Sequence, residues 1–276
     1  MELAKGLYLA DLEHNSQFAY IRSNFLGLIR EDGALDMYHG GLRARDDLGN
    51  TIFDHVDYRE YTQYLREEVR SWSYMKFPYI VSRGKETGWY RVGPLARINN
   101  CDFLDTPLAE AARQDFMAHG AGGPVHGSLA FHWARMIEAL HSAEGIERFL
   151  RDPDILGNDL VVKGEKRYEG VGVIEAPRGT LFHHYCIDDQ DLVTKANLIV
   201  STTSNNQAMN ESISQVAATY LDGNEPTEGL LNHIEVAIRA YDPCLSCATH
   251  ALGKMPLELE VLDASENLVA RFERHG

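Results

Sequence analysis

Two cysteines and a histidine recur at intervals of three residues, directly behind an Asp-Pro pair. The stretch reads Asp242-Pro-Cys-Leu-Ser-Cys-Ala-Thr-His250. Aspartate is a common N-cap and proline suits the first helical position, so Asp242 and Pro243 predict that a helix or tight turn begins here. Residues three apart share one helical face, which brings Cys244, Cys247 and His250 together. Thiols near a helix N-terminus readily become thiolates, so the stretch predicts two sulfur ligands for a metal ion.

The rest of such a site is not evident in the sequence. A structural zinc site needs two more ligands, usually from a second paired cluster, but the other cysteines, Cys101 and Cys186, are isolated. A thioredoxin-like motif would follow a strand, whereas a helical pattern precedes Cys244. A pair of buried thiols that pack as small hydrophobic side chains is the third interpretation.

Composition limits the class of protein. The net charge of −15 argues against nonspecific nucleic-acid binding and against docking on anionic membranes. No apolar run approaches the roughly 20 residues that span a bilayer, and the first residues show no secretory signal. Four cysteines in 276 residues do not form a disulfide scaffold, and thiol ligands suit a reducing compartment. We therefore expect a cytoplasmic protein of one large domain or two small ones.

Hydrophobic periodicity predicts an α+β fold of helices and small antiparallel sheets. The predicted helices are 57–73, 106–120, 129–140, 144–151, 206–221 and 228–240. Strand-like runs predict a small antiparallel sheet within 18–45, an antiparallel meander over 170–174, 181–187 and 192–200, and a hairpin over 257–262 and 268–272. His183 and His184 are adjacent, so in a strand they face opposite sides, and we assign them no role.

The motif D-P-C-x-x-C-x-x-H resembles the C-terminal metal-binding motif of nickel–iron hydrogenase large subunits. Three further stretches agree with this family: Arg91-Val-Gly-Pro-Leu-Ala-Arg97, Glu175-Ala-Pro-Arg-Gly179, and Ser201-Thr-Thr203 with Asn205. Residues 73–79 and 205–207 are most similar to the soluble NAD-reducing subgroup. The resemblance extends over 1–276 and corresponds to about the C-terminal half of such a subunit. It implies a helix-rich hydrogenase large-subunit fold with small peripheral antiparallel sheets.

The resemblance implies roles for the cysteine motif. Cys244 corresponds to a terminal nickel ligand, and Cys247 corresponds to a thiolate that bridges nickel and an iron with cyanide and carbon monoxide ligands. Cys244 is also the candidate general base for the heterolytic splitting of dihydrogen. His250 would help to bind a magnesium-type ion and would become the last residue after a maturation endopeptidase removes residues 251–276. Residues 1–250 would then be the C-terminal portion of the catalytic domain.

The resemblance also implies roles for residues outside the cysteine motif. Arg178 would lie over the open position between the metals, beside Pro177, and a guanidinium that stays protonated would polarise dihydrogen. Asp242 would be the carboxylate partner of Arg178. Ser201 and Thr202 would hydrogen-bond a cyanide ligand of the iron, a contact of the kind that tunes a metal. Arg97 is expected to pair with a buried carboxylate, and Glu175 is a candidate for outward proton transfer.

The sequence departs from the family in one respect. Family members carry a second cysteine pair, in an R-x-C-G-x-C-type motif, and these 276 residues contain none. The chain is therefore a fragment or split product of an active enzyme, or an inactive structural subunit; a simple zinc or redox CxxC protein is the remaining alternative. An active enzyme would pass electrons to a small subunit with iron–sulfur clusters and then to NAD through flavin-containing diaphorase subunits.

Overall fold

The computed structural model describes residues 1–221, 227–245, 247, 257–263 and 265–274. Its helices are α1 (Glu2–Ala10), α2 (Leu12–Gln17), α3 (Tyr61–Tyr64), α4 (Gly84–Thr87), α5 (Pro94–Asn100), α6 (Pro107–Met117), α7 (Ala130–Leu150), α8 (Ser201–Ser204), α9 (Asn206–Tyr220) and α10 (Glu228–Ala240). Its strands are β1 (Asn24–Ile29), β2 (Gly41–Arg45), β3 (Thr51–Val56), β4 (Leu65–Glu68), β5 (Phe77–Ile80), β6 (Tyr90–Arg91), β7 (Glu169–Ala176), β8 (Gly179–Ile187), β9 (Val193–Ile199), β10 (Leu257–Leu262) and β11 (Leu268–Arg274). This combination of helices and small sheets confirms the α+β prediction.

Strand β1 lies inside a four-stranded sheet with the order β3-β2-β1-β6. It pairs antiparallel with β2, where Phe25 faces Arg45, and parallel with β6, where Asn24 faces Tyr90. All six residues of β1 are buried, because the strand contacts α5 as well as β7 and β8. The antiparallel pairing predicted within 18–45 is confirmed. The parallel strand was not predicted, since it comes from a distant part of the chain.

A single long helix, α7, runs through the largest hydrophobic cluster. Its Trp133 side chain is fully buried and packs against Tyr8 of α1 and Phe116 of α6. The prediction of two separate helices over 129–140 and 144–151 is wrong, because α7 continues through Gly145. A glycine inside a helix costs only about 1 kcal/mol, which the packing of α7 against α1, α5 and α6 offsets.

The predicted helix over 57–73 is also wrong. A short 3-10 turn and the single-turn helix α3 give way at Leu65 to strand β4. Strand β4 pairs antiparallel with β5, and Leu65 lies opposite Ile80, with both side chains buried. This cross-strand packing outweighs the helical periodicity of the stretch. Helices α1 and α2, which lie before residue 18, were not predicted either.

Several other predictions are confirmed, whereas strands β3 and β5 and helices α4, α5 and α8 were not predicted. Strands β7, β8 and β9 form the predicted antiparallel meander, with Ala176 opposite Gly179 at the first turn. Helices α6, α9 and α10 occupy the predicted ranges, and β10 and β11 form the predicted hairpin. Among the residues that the structure describes, no helix is both long and apolar enough to cross a membrane.

Candidate metal centre

The segment between α10 and Cys247 corrects the predicted role of Asp242 as a helix N-cap. The backbone N–H of Asp242 donates to the carbonyl of Arg239 at 3.0 Å, and Asp242 has a left-handed φ of 52°. This geometry closes the helix before it, whereas an N-cap residue normally has extended backbone. Pro243 and Cys244 follow without helical structure, and Leu245 and Cys247 are helical. Asp242 therefore ends α10, and Pro243 is not the first helical residue.

The two cysteines of the motif are both accessible. Cys244 is half-buried and Cys247 is exposed. The backbone N–H of Cys244 donates to the Thr202 hydroxyl oxygen at 3.1 Å, so α8 fixes the start of the motif while the hydroxyl hydrogen of Thr202 can be donated elsewhere. His250, with its predicted magnesium-type ion, lies outside the described residues.

Arg178 contacts Asp242 across a long sequence separation. Its Nε donates to the Asp242 carbonyl oxygen at 2.6 Å and its Nη2 donates to the Asp242 Oδ1 at 3.3 Å. The two side chains are each about half exposed, at 45% and 47%. Because Asp242 is two residues before Cys244, this pair holds the guanidinium beside the cysteine motif. The pairing of Arg178 with Asp242 agrees with the prediction.

The turn that carries Pro177 and Arg178 is tightly packed from two sides. Gly179 has a φ of 138°, and a Cβ at this position would lie 2.7 Å from the backbone nitrogen of Gly93. Gly93 has a φ of 92°, and its own added Cβ would lie 2.6 Å from the Arg178 carbonyl oxygen. The Ser201 hydroxyl donates to the Gly179 carbonyl at 2.7 Å. This close approach leaves no room for a side chain at Gly93 or Gly179, and the hydrogen bond from Ser201 fixes the turn further.

The buried guanidinium of Arg97 holds the same turn through hydrogen bonds to its backbone. Arg97 of α5 forms two hydrogen bonds with Glu138 of α7, at 2.6 and 2.7 Å, and one with Glu175 of β7, at 2.8 Å. It also donates to the carbonyl oxygens of Ala176 at 2.8 Å and Pro177 at 3.1 Å. The expected carboxylate partner of Arg97 is thus confirmed. The sequence did not indicate a second carboxylate or the backbone contacts.

Electrostatics in this network follow from burial and pairing. Burial alone would lower the pKa of Arg97, but the charges of Glu138 and Glu175 outweigh it and raise that pKa. Burial raises the pKa of Glu175, and the neighbouring Arg97 opposes this shift. The guanidinium of Arg97 is therefore fixed in its charged form at the base of the turn.

Arg135 and His132 of α7, which the sequence interpretation missed, lie near enough to Asp242 for its charge to oppose the burial that lowers the pKa of each. Arg135 donates from Nη2 to the Ala240 carbonyl at 3.0 Å, and its Nη1 is 3.3 Å from the Nδ1 of His132. Burial lowers the pKa of Arg135, and the charge of Asp242 opposes this shift. The sequence signal was a histidine and an arginine three residues apart, which share one face of α7.

The donor set fits one side of a thiolate-held metal centre. Cys244 and Cys247 offer two soft sulfur atoms, the donor type that nickel and low-valent iron favour. Thr202 offers a hydroxyl hydrogen, and Arg178 offers a guanidinium beside the cysteines. Of the other two cysteines, Cys101 is buried in the core and Cys186 lies on β8, so Cys244 and Cys247 are the cysteines available to the candidate centre.

Comparison with known proteins identifies the family. The family model for nickel-dependent hydrogenases matches residues 12–250. The beta subunit of the NAD-reducing hydrogenase HoxS from Cupriavidus necator is 48% identical over 264 residues, which are 93% of this chain and 54% of that subunit. The chain spans about half the length of the curated relatives it matches.

Solved structures agree with this assignment. A crystal structure of an NAD+-reducing NiFe hydrogenase in its H2-reduced state superposes with a TM-score of 0.86 at 51% identity, and covers 90% of this chain and 55% of the other. The NiFeSe hydrogenase of Dm. baculatum, at 21% identity and a TM-score of 0.61 over 91% of this chain and 57% of the other, shows the same fold. The resemblance found in the sequence is confirmed, and the chain belongs to the nickel-dependent hydrogenase family.

Proposed function

We propose that this chain is the catalytic large subunit, or the C-terminal portion of it, of a nickel–iron hydrogenase that interconverts dihydrogen with protons and electrons. The observation that carries the proposal is the contact of Arg178 with both the carbonyl and the carboxylate of Asp242, two residues before Cys244. It unites two segments that are distant in sequence at one pair of thiols. A guanidinium and a soft donor pair at one place suit the polarisation and deprotonation of a small substrate.

Each residue of the centre has a defined chemical task. Cys244 and Cys247 would hold nickel and iron, and the bound pair, with cyanide and carbon monoxide on the iron, would supply heterolytic activation of dihydrogen. Cys244, as a thiolate, would accept the released proton. Arg178 would remain protonated and polarise the substrate.

Four further residues would position Arg178 and contact the iron ligands. Asp242 would fix the direction of the Arg178 guanidinium, and Pro177 would shape the turn next to it. Ser201 and Thr202 would supply hydroxyl groups to the iron ligands. Because Ser201 donates to the Gly179 carbonyl here, Thr202 is the better placed of the two, through its contact with the Cys244 backbone.

The proposed electron path needs partner subunits. Electrons would leave through a small subunit with iron–sulfur clusters and reach NAD through diaphorase subunits that bind flavin. Four cysteines in the chain are too few to carry such clusters in addition to the centre. The NAD-reducing relative from Cupriavidus necator and the NAD+-reducing enzyme of known structure support this choice of acceptor.

Maturation of the C-terminus is part of the proposal. A maturation endopeptidase would cleave after His250, remove residues 251–276 and leave His250 to bind a magnesium-type ion. The hairpin β10–β11 lies in this extension, and Leu259 packs against the cluster formed by α9 and α10.

The decisive experiment is to isolate the protein from its native cell and to measure its intact mass and metal content together. The proposal expects nickel and iron in the protein and a polypeptide that ends at His250. Cys244→Ser should abolish nickel retention. The matched control Cys101→Ala removes a thiol from another element, one that lies in the core, and should retain nickel.

Other outcomes would support the alternatives. A mass that includes residues 251–276, with no metal bound, would favour an inactive structural subunit. Zinc in place of nickel and iron would favour a simple CxxC metal protein. Either result would overturn the catalytic proposal.

A further inference from the structure

A second group of potential metal ligands lies on the meander, outside the candidate metal centre. Glu169 of β7 is directly opposite Cys186 of β8. His184 precedes Cys186 by two residues, so both point to the same face of the sheet. One ligand atom from each of the three side chains lies within 4.8 Å of the other two. The sheet register therefore brings oxygen, nitrogen and sulfur donors to one place.

The imidazole of His184 is already oriented toward the other two donors. His184 is only 7% exposed, and its Nδ1 is 3.1 Å from the hydroxyl of Tyr61. The amide of Asn197 donates to the same hydroxyl at 3.1 Å. This arrangement leaves Nε2 aimed at the Glu169 Oε1, 2.7 Å away. Histidine ligands of metals usually have their second nitrogen fixed in this way.

We propose that Glu169, His184 and Cys186 bind a divalent transition-metal ion of the zinc class. Three protein ligands with an open position for water are a common zinc arrangement, and its bond lengths place the donors roughly 3.3–3.8 Å apart. Glu169 and Cys186 are the more exposed members, so their side chains can adjust to this spacing. A mixed sulfur, nitrogen and oxygen set favours zinc or cobalt over magnesium or calcium.

The charge of Lys195 opposes cation binding at this place. Lys195 of β9 lies opposite Cys186 in the register. Because Lys195 is exposed, its long side chain can direct the ammonium group to water. The competing arrangement is the hydrogen bond between His184 and Glu169 alone, with Cys186 as a neighbour that binds nothing.

The test is a cobalt titration of the full chain carrying Cys244→Ser and Cys247→Ser, which removes the thiols of the candidate metal centre. Cys101 cannot compete, because burial raises its pKa to about 12. We expect one cobalt ion to bind, with a thiolate-to-cobalt absorption band in the near ultraviolet. Cys186→Ser should abolish the band, and Glu169→Gln should weaken binding by about tenfold or more.

His183→Asn is the matched control, because His183 is adjacent but lies on the opposite, exposed face of β8. It should leave both the band and the affinity unchanged. A band that persists in the Cys186→Ser protein, or an affinity that Glu169→Gln does not change, would overturn the proposal. Neither result bears on nickel binding at Cys244, since the titrated protein lacks that thiol.

Discussion

Arg97 organises the turn that carries Arg178 through contacts with two carboxylates and two backbone carbonyls. Its side chain is 1% exposed, and those of Glu138 and Glu175 are 8% and 0% exposed. Three buried charges are costly to desolvate, and they are stable only while each retains its partners. The position of Arg178 thus depends on Arg97, which lies 81 residues earlier in the chain. Among the hydrogen bonds of the described residues, Arg97 forms none with Asp242.

Arg97→Lys should therefore be strongly destabilising. A lysine cannot form the paired hydrogen bonds to Glu138 while also reaching the carbonyl oxygens of Ala176 and Pro177. Breaking a buried charge network typically costs about 3–5 kcal/mol, to be measured by urea unfolding. The control is Arg151→Ala, whose exposed pair with Glu147 should contribute less than about 1 kcal/mol. A loss in Arg97→Lys no greater than in the control would contradict this role.

His126 should make stability depend on pH. Burial, followed by the charge of Arg91, lowers the pKa of His126 to about 4. The unfolded chain, with a histidine pKa of about 6.5, then binds the proton more tightly than the folded one. The contribution of His126 to the free energy of unfolding is fully present above pH 6.5. It is lost as the pH falls through 4, which lowers the free energy of unfolding by roughly 3 kcal/mol.

Unfolding measurements across this pH range test the assignment of His126. His126→Gln should flatten the decline, because its amide can accept from Arg91, as Nδ1 does at 2.9 Å, and donate to the Asp47 carbonyl, as Nε2 does at 2.8 Å. His183→Gln, on an exposed residue, should retain the wild-type slope. An unchanged slope in His126→Gln would show that other groups cause the decline.

At the scale of elements, hydrophobic periodicity correctly predicted the strands and helices whose structure depends mainly on nearby residues. The meander β7–β9 and the helices α9 and α10 were predicted because their apolar patterns agree with how they pack. The stretch after Tyr61 was predicted wrongly, since a helical pattern there yields to pairing of Leu65 with Ile80. Strand β6 and its parallel pairing were missed because they depend on β1, far away in the sequence.

The turn between β7 and β8 should not tolerate a side chain at Gly179. Gly179→Ala would place a methyl group against Val92 and 2.7 Å from the Gly93 nitrogen, at a φ of 138° that side chains rarely adopt. Such a strained backbone costs on the order of 1–3 kcal/mol, and we therefore expect a lower Tm. The matched control is Gly172→Ala in β7, where an added Cβ meets nothing within 4 Å. Equal effects of the two substitutions would contradict the tight packing of the turn.

For the whole molecule, the candidate centre is assembled from segments that are dispersed along the chain. The cysteine motif was recognisable because its candidate ligands lie three residues apart. The contacts of Arg178 with Asp242 and of Thr202 with Cys244 follow from how the meander packs beside the end of α10. Arg135 was missed because its link to this place, a hydrogen bond to the Ala240 carbonyl, exists only in the folded chain.

The surface of the whole molecule carries many exposed apolar side chains. Leu3 and Leu7 of α1 are 78% and 65% exposed, and Phe149 and Leu150 at the end of α7 are 60% and 67% exposed. A groove of about 450 Å³ between α1 and α7 is lined in part by Leu7 and Met136. An apolar groove with exposed leucines beside it is typical of a surface that contacts other protein.

We therefore expect the isolated chain to self-associate through α1 and α7. Leu3→Glu combined with Leu7→Glu should shift it toward the monomer, because each carboxylate would have to be desolvated in the contact. Sedimentation velocity over a range of concentrations measures the shift. Gln190→Glu with Thr194→Glu, at exposed polar positions, adds the same charge elsewhere and controls for simple repulsion. A wild-type chain that stays monomeric, or a control pair that disperses it equally well, would show that this surface does not drive association.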